Sequence, residues 1–268
     1  MSMVSIGDSP LQAHRSLIWG VADASAPALS RKVSLVTKRL LHLIATPRGL
    51  ASNTGRISSV LLEELHDRYD DLDVKALDLF SADLPAVAGT NIKSKYALMT
   101  GQALDDEARG SWREIEQTIE TFLDADLYLV TAPMWNFGVP YALKYYIDAI
   151  VQPGYLFNYD ELGQPRGMVH GRRMVCVTSR GGDYSQGPMA QFDFLESYLR
   201  AIFGFVGIAD ITFFNVQPMD INTDLRRTAS RAAVNEVRSW VAQGAWDGTP
   251  TEVLEPLPAD VNPKVIVE

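Results

Sequence analysis

Ala125-Asp126-Leu127-Tyr128-Leu129-Val130-Thr131-Ala132-Pro133-Met134-Trp135-Asn136-Phe137-Gly138-Val139-Pro140, running on through Tyr141 to Val151, sets three kinds of sequence in succession. Leu127 to Ala132 is a short, nearly unbroken apolar run, the pattern of a parallel strand buried on both faces. Tyr141 to Val151 carries apolar residues three and four apart, the spacing of an amphipathic helix. Between them lies an aromatic, polar loop at the carboxyl end of a strand, and in open α/β sheets that edge is where ligands bind, at the topological switch point.

Working outward, the same alternation repeats from Arg39 onward. Strands are predicted at Leu40 to Ala45, Asp73 to Leu77, Leu127 to Ala132, Arg173 to Thr178 and Asp210 to Asn215. Helices are predicted at about 54 to 69, 109 to 124, 139 to 151, 189 to 204 and 222 to 243. Strands alternating with helices make βαβ units, so the expected class is α/β: a doubly wound five-stranded parallel sheet with helices on both faces. Two segments interrupt the pattern. Residues 79 to 108 are long for a connection, with Lys95 to Met99 as a short helix, and loops of that length in compact domains are usually functional or shared with a partner. Residues 154 to 169 alternate Tyr155, Phe157 and Tyr159 before Asp160-Glu161-Leu162-Gly163, a hairpin signal, and a hairpin rising from the same sheet edge would form a lid.

The chain therefore divides into an extension at 1–37, a body at 38–243 and a Pro-bearing tail at 244–268, expected to run extended along a surface or to be disordered. For the extension, the run Leu17 to Ala22 is too short for a signal-peptide core and Asp23 follows it. A transit peptide, a mis-chosen start codon and a clasp over a partner subunit stay open. At 268 residues and 47% hydrophobic the chain can bury one sizeable core, and a net charge of −9 with no dense Lys/Arg run argues against a nucleic-acid partner. Cys176 is the one cysteine, which forbids an intrachain disulfide and a thiolate metal cluster; a reducing, cytoplasmic setting is expected. The four histidines show no paired ligand spacing and no stretch approaches the roughly 18 apolar residues of a membrane span, so neither a metal nor a span is expected.

Three connections can carry chemistry. The first, Ala45 to Gly55, opens a helix with Ser52-Asn53-Thr54 after a Gly-containing turn. Small hydroxyl and amide side chains beside free helix amides make a phosphate cradle; the plainer reading is that one of them only caps the helix. No Gly-x-Gly-x-x-Gly and no Lys-bearing P-loop is present, which weighs against a dinucleotide or Mg-nucleotide site. The third, Met134 to Phe137, offers hydrogen-bonding edges at Asn136 beside Trp135 and Phe137, as a planar polar heterocycle needs, though it also reads as a hydrophobic loop packed under the next helix. The fourth, Thr178 to Pro188, holds Gly181-Gly182, which allow close backbone approach to a ligand or simply make a turn. Ser179 has no Gly-x-Ser-x-Gly frame, so acyl hydrolysis falls to a minor reading. One ligand reaching all three loops, with phosphate at one end and a flat ring larger than a purine at the other, has the outline of riboflavin phosphate, FMN.

The chain resembles the FMN-dependent NADH:quinone and azo-compound oxidoreductases, the azoreductases, of flavodoxin-like fold. The resemblance runs from about Arg39 to Trp240 and rests on Thr46-Pro-Arg-Gly with Ser52-Asn53-Thr54, Lys95-Tyr-Ala-Leu-Met-Thr-Gly-Gln-Ala-Leu, Pro133-Met-Trp-Asn-Phe137, Tyr145 to Tyr155, and Ser179-Arg-Gly-Gly182. It implies a homodimer with FMN near the interface and ping-pong transfer of two electrons from NADH or NADPH to quinones or azo compounds. It places Thr46 and Ser52 to Thr54 at the phosphate, and Pro133, Met134, Trp135, Asn136, Phe137 with Ser179, Arg180, Gly181 and Gly182 at the flavin ring. Tyr159 matches an aromatic near the partner's pocket and Phe205 one on the substrate side. The chemistry is the cofactor's, with no side-chain acid or base required and amide donors from the Arg180 to Gly182 turn or the Asn136 loop expected near the ring's N1 and C2 oxygen. NADH has the edge over NADPH, since no unambiguous arginine is placed for a 2′-phosphate. The competing reading is a flavodoxin-like electron carrier or flavin-binding sensory module without small-molecule turnover.

Overall fold

The computed structural model describes residues 38–99, 102, 104–244 and 246–247, so the expectations for 1–37 and for the tail beyond Asp247 lie outside the described residues. In chain order it contains β1 (Lys38–Ile44), a 3-10 turn (Gly49–Ala51), α1 (Asn53–Arg68), β2 (Leu72–Asp78), α2 (Thr90–Met99), α3 (Asp106–Leu123), β3 (Leu127–Pro133) and α4 (Tyr141–Ile150). There follow β4 (Phe157–Tyr159), β5 (Pro165–Gly167), β6 (Arg173–Ser179), a second 3-10 turn (Gly187–Phe192), α5 (Phe194–Phe205), β7 (Asp210–Val216) and α6 (Thr223–Ala242). Five strands form one parallel sheet in the order β2-β1-β3-β6-β7, while β4 and β5 pair antiparallel as a separate hairpin. The order runs outward from β1 in one direction and from β3 in the other. The switch point thus falls between β1 and β3, and the two loops leaving their carboxyl ends diverge to leave a crevice.

The period of two along each strand sorts the core into two layers. Leu41, Leu43, Tyr128, Val130, Met174 and Cys176 face one side and pack with Trp112, Ile115 and Phe122 of α3, Leu143 and Ile147 of α4, and Leu195, Leu199 and Phe203 of α5. Leu40, Leu127, Leu129, Val175, Val177 and Phe214 face the other, against Ile57, Leu61 and Leu65 of α1 and Val237 and Val241 of α6. Each such side chain removed from water is worth roughly 1.5–3 kcal/mol, enough to fix the register against a one-residue slip that would turn both sets outward. The end of α6 is pinned to α1: Trp246 is buried against Trp240, and Asp247 accepts from the Tyr69 hydroxyl at 2.8 Å and pairs with Arg68.

The five predicted strands and the hairpin are present, and three expectations are corrected. The helix predicted over 189 to 204 is two elements, because Asp193 turns out of helical geometry and accepts the Glu196 N–H at 3.2 Å as the cap of α5. The helix predicted from 139 begins at Tyr141, behind Pro140, which has no N–H to contribute and sits in extended geometry. The hairpin does not rise from the ligand-binding edge. β3 and β6 are parallel, so α4 carries the chain back to the amino-terminal edge, and β4 and β5 sit there beside the end of α5, with the Val169 N–H donating to the Val206 carbonyl at 2.8 Å.

Candidate functional site

A cavity of about 190 Å³ opens where β1, β3 and β6 end. It is lined by Thr46, Ser52, Asn53 and Thr54 from the first loop, Pro133, Met134 and Trp135 from the third, and Ser179, Arg180 and Gly181 from the fourth. Asn136, Phe137 and Gly182 lie just beyond the lining in the same loops, whereas Tyr159 and Phe205 belong to the other edge, where Phe157 meets the Tyr159 ring edge-on and the Phe205 ring at a tilt, at 5.6 and 4.8 Å between centroids. Four lining residues were missed by the sequence reading: Pro47, Arg48, Met219 and Asp220. Pro47 and Arg48 were legible, being in the first loop. Met219 and Asp220 were not, since they lie beyond β7, in a segment that returns to the fourth loop, where both amides donate to the Gly181 carbonyl at 3.1 and 2.9 Å.

The first loop is built on its glycines. Gly49 takes φ +51°, and Gly55 stands where a Cβ would come within 2.6 Å of the Gly49 carbonyl oxygen, so the loop folds tightly onto the first turn of α1. Ser52 caps that helix, its hydroxyl accepting from the Gly55 N–H at 2.9 Å and donating to the Gly49 carbonyl at 2.8 Å. Among the described residues the amides of Asn53 and Thr54 have no acceptor, and they stand at the positive end of the α1 dipole. Ser52 thus performs the capping that the plainer reading assigned to one residue, leaving its neighbours' amides toward the cavity they line.

Beneath this loop lies a buried polar network. The Thr54 and Ser179 hydroxyls share a hydrogen bond of 2.6 Å across the cavity floor, joining the first and fourth loops. Deeper, the Ser58 hydroxyl meets that of Thr131 at 2.6 Å, and Thr131 meets His42 Nε2 at 2.7 Å. His42 is 1% exposed, and removal from water holds its pKa down at about 4, so the ring is neutral at ordinary pH. Ser179 is engaged by Thr54 and His42 by Thr131, so those two are not set as nucleophile and base.

The third loop is a tight turn. Trp135 and Gly138 exchange both backbone hydrogen bonds, at 3.0 and 2.9 Å, and the residues between, Asn136 and Phe137, have φ of +47° and +69°. Asparagine tolerates that region; a phenylalanine held there costs on the order of 1–3 kcal/mol, the kind of strain that collects at functional sites. The turn leaves the Asn136 and Phe137 amides without acceptors among the described residues. On one side Trp135 packs edge-on against Phe80 at 5.6 Å, and on the other Phe137 contacts Phe192 at 5.3 Å.

The fourth loop turns on Arg180. Its side chain points away from the cavity mouth into the protein, fully buried, donating from Nε to Asp193 at 2.8 Å and from Nη1 to the Thr178 hydroxyl at 2.6 Å and Asn215 Oδ1 at 2.9 Å. Its amide is engaged by the Val216 carbonyl at 3.0 Å. Of the three amides in the Arg180 to Gly182 turn, those of Gly181 and Gly182 have no acceptor among the described residues and remain for a ligand. The site thus offers free amides at a helix end for an anion and two pairs of free amides for the polar edge of a flat ring, with aromatic side chains beside them, an arrangement that fits a flavin mononucleotide.

A family model described as flavodoxin-like fold matches residues 38–241. An FMN-dependent NADH:quinone oxidoreductase of Nitratidesulfovibrio vulgaris is 36% identical over 180 residues, covering 67% of this chain and 86% of the relative. FMN-dependent NADH:quinone oxidoreductase 1 of Bradyrhizobium diazoefficiens is 33% identical over 207 residues, covering 75% and 99%. Among solved structures, an azoreductase from Bacillus anthracis superposes with a TM-score of 0.70 at 24% identity, covering 77% of this chain and 99% of that one.

Proposed function

The chain belongs to the family of FMN-dependent NADH:quinone oxidoreductases with the flavodoxin-like fold, and from that premise we propose that it carries two electrons from NADH or NADPH to quinones or azo compounds, in ping-pong fashion, on FMN held in the three-loop cavity. The observation that carries this reading is the set of amides on one sheet edge that have no acceptor among the described residues, at Asn53 and Thr54, at Asn136 and Phe137, and at Gly181 and Gly182. Bound there, FMN would supply the redox chemistry. The residues' part is to bind and orient: Thr46, Ser52, Asn53 and Thr54 at the phosphate, Pro133 to Phe137 and Ser179 to Gly182 around the ring. A space of about 190 Å³ is smaller than the roughly 300–1,000 Å³ of a pocket that encloses a whole drug-sized ligand, so FMN held by these three loops would stay partly open to redox partners.

The amides of Gly181 and Gly182, or of Asn136 and Phe137, are assigned to the ring oxygen and nitrogen on which negative charge collects, a stabilisation that preset dipoles provide without reorganisation. Tyr159 and Phe205, on the amino-terminal edge, cannot close over the cavity of their own chain. They are assigned to the pocket of a second copy in a C2 homodimer, the commonest oligomer. Among the described residues no helix is long and apolar enough to cross a membrane, and a cytoplasmic location is proposed from the single, buried, unpaired Cys176. Residues 38–243 are assigned as the catalytic body, with 1–37 and 244–268 outside it, although Trp246 and Asp247 pack onto α6 and α1.

Purified protein is expected to carry a yellow chromophore released as FMN, to bleach with NADH under anaerobic conditions, and to turn over many times with a quinone. Absence of bound flavin, or colour that NADH leaves unchanged, would refute the proposal; a single turnover per flavin would favour an electron carrier instead.

A further inference from the structure

The geometry points to the Arg180–Asp193 ion pair as the positioning device that sets the two ring-binding loops against each other, through the first turn of α5. This inference rests on the flavin reading above and extends it to residues that touch no ligand. Glycine backbones have wide conformational freedom, and a turn of two glycines would not hold its amides in one direction by itself. Here the residue before them is fixed on every side. The Arg180 amide donates to Val216, its carbonyl accepts from Met219 at 2.9 Å, and its guanidinium reaches β6 at Thr178, β7 at Asn215 and the cap of α5 at Asp193.

Asp193 is the hub. One carboxylate oxygen accepts the Glu196 N–H and caps α5, while the other accepts from Arg180. The next residue, Phe194, donates its N–H to the Phe137 carbonyl at 3.0 Å, and so the strained third turn and the glycine turn are both fastened to one helical turn, by adjacent residues. Glu196 completes the cluster, accepting from Asn215 Nδ2 at 2.6 Å and from Arg200 at 2.7 Å, with its second oxygen 3.9 Å from the Arg180 guanidinium. Pairs of amides held in advance at a set separation bind a rigid ring better than amides that must be ordered on binding.

The test compares full-length Arg180→Lys, Asp193→Asn and the milder Thr178→Val with wild type and with Val237→Ala, a core truncation under the opposite face of the sheet. For the first two, dissociation constants for FMN and for riboflavin are expected to rise together, by tenfold or more, because the loss is at the ring and not the phosphate. The midpoint potential of bound FMN is expected to fall, by about 30 mV for each tenfold preferential loss of the reduced form. Thr178→Val should give a smaller change in the same direction, and Val237→Ala should lower the melting temperature while leaving both flavin constants and the potential at wild-type values. Folded Arg180 and Asp193 variants with wild-type flavin constants and potential would overturn the inference; should those two fail to fold, unchanged constants in Thr178→Val would overturn it. Wild-type protein that takes up no flavin would overturn the function itself.

Discussion

At the scale of single residues the site separates positions that must stay small from positions that only happen to be. A Cβ at Gly55 would meet the Gly49 carbonyl and Leu50 backbone at 2.6 Å, with nothing flexible to yield, whereas at Gly181 it would meet the carboxylate tip of the exposed Asp220 at 2.8 Å. Gly55→Ala is therefore expected to destabilise by about 1–3 kcal/mol and to weaken FMN binding, while Gly181→Ala stays within about 1 kcal/mol of wild type in a urea melt. His42 gives a pH signature. Above about pH 6.5 its ring is neutral in both folded and unfolded chains; between there and its folded pKa of about 4 only the unfolded chain takes the proton, so stability falls with pH, by ~3 kcal/mol in total. In His42→Gln that decline should flatten across pH 6.5 to 4, while the losses from Asp126 and Asp247, whose partners hold their carboxyls below the usual range, remain at more acid pH. Little of this was legible beforehand: the chain marks His42 only as a histidine in an apolar run, and Thr131 and Ser58, its network, lie 89 and 73 residues apart along the chain from their partners.

Elements were read better than the joints between them. β3 and β6 announce themselves because burial on both faces demands continuous apolar runs, and α1 because Ile57, Leu61 and Leu65 recur one turn apart. The break at Asp193 was hidden, since the apolar spacing of 189 to 204 continues through the 3-10 turn and only the cap interrupts it. Arg180 could be placed in the right loop but not pointed, because its partner Asp193 is on the next element. At the head of α1 the capping and ligand roles overlap, and mutation should divide them. Ser52→Ala with Thr54→Ala is expected to lower helix and protein stability by ~1–2 kcal/mol through the lost cap and to raise the FMN dissociation constant more than that for riboflavin. Equal losses for the two flavins in equilibrium dialysis would remove the phosphate from this loop.

For the whole molecule, the direction of α4 decides what one chain can do alone. By returning the chain to the amino-terminal edge it places Tyr159 and Phe205 away from the loops of β1, β3 and β6, so the dimer proposed above would have each copy complete the other's site. Asn136→Ala and Tyr159→Ala proteins, each impaired in quinone reduction, should therefore regain activity when unfolded together and refolded as a mixture. Random pairing in a C2 dimer makes about half the dimers mixed, each with one fully wild-type site, or about a quarter of all sites. No recovery on mixing would place each residue's action within its own chain. Cys176, at the centre of β6 and wholly enclosed beneath α3, α4 and α5, with burial pushing its thiol pKa well up, is expected to resist alkylating reagents until those helices part from the sheet. The molecule thereby carries its own clock: under native conditions the pace of its labelling is expected to count openings large enough to uncover the sheet, and slowing of that pace on adding a ligand would report linkage between occupancy and opening without any engineered probe.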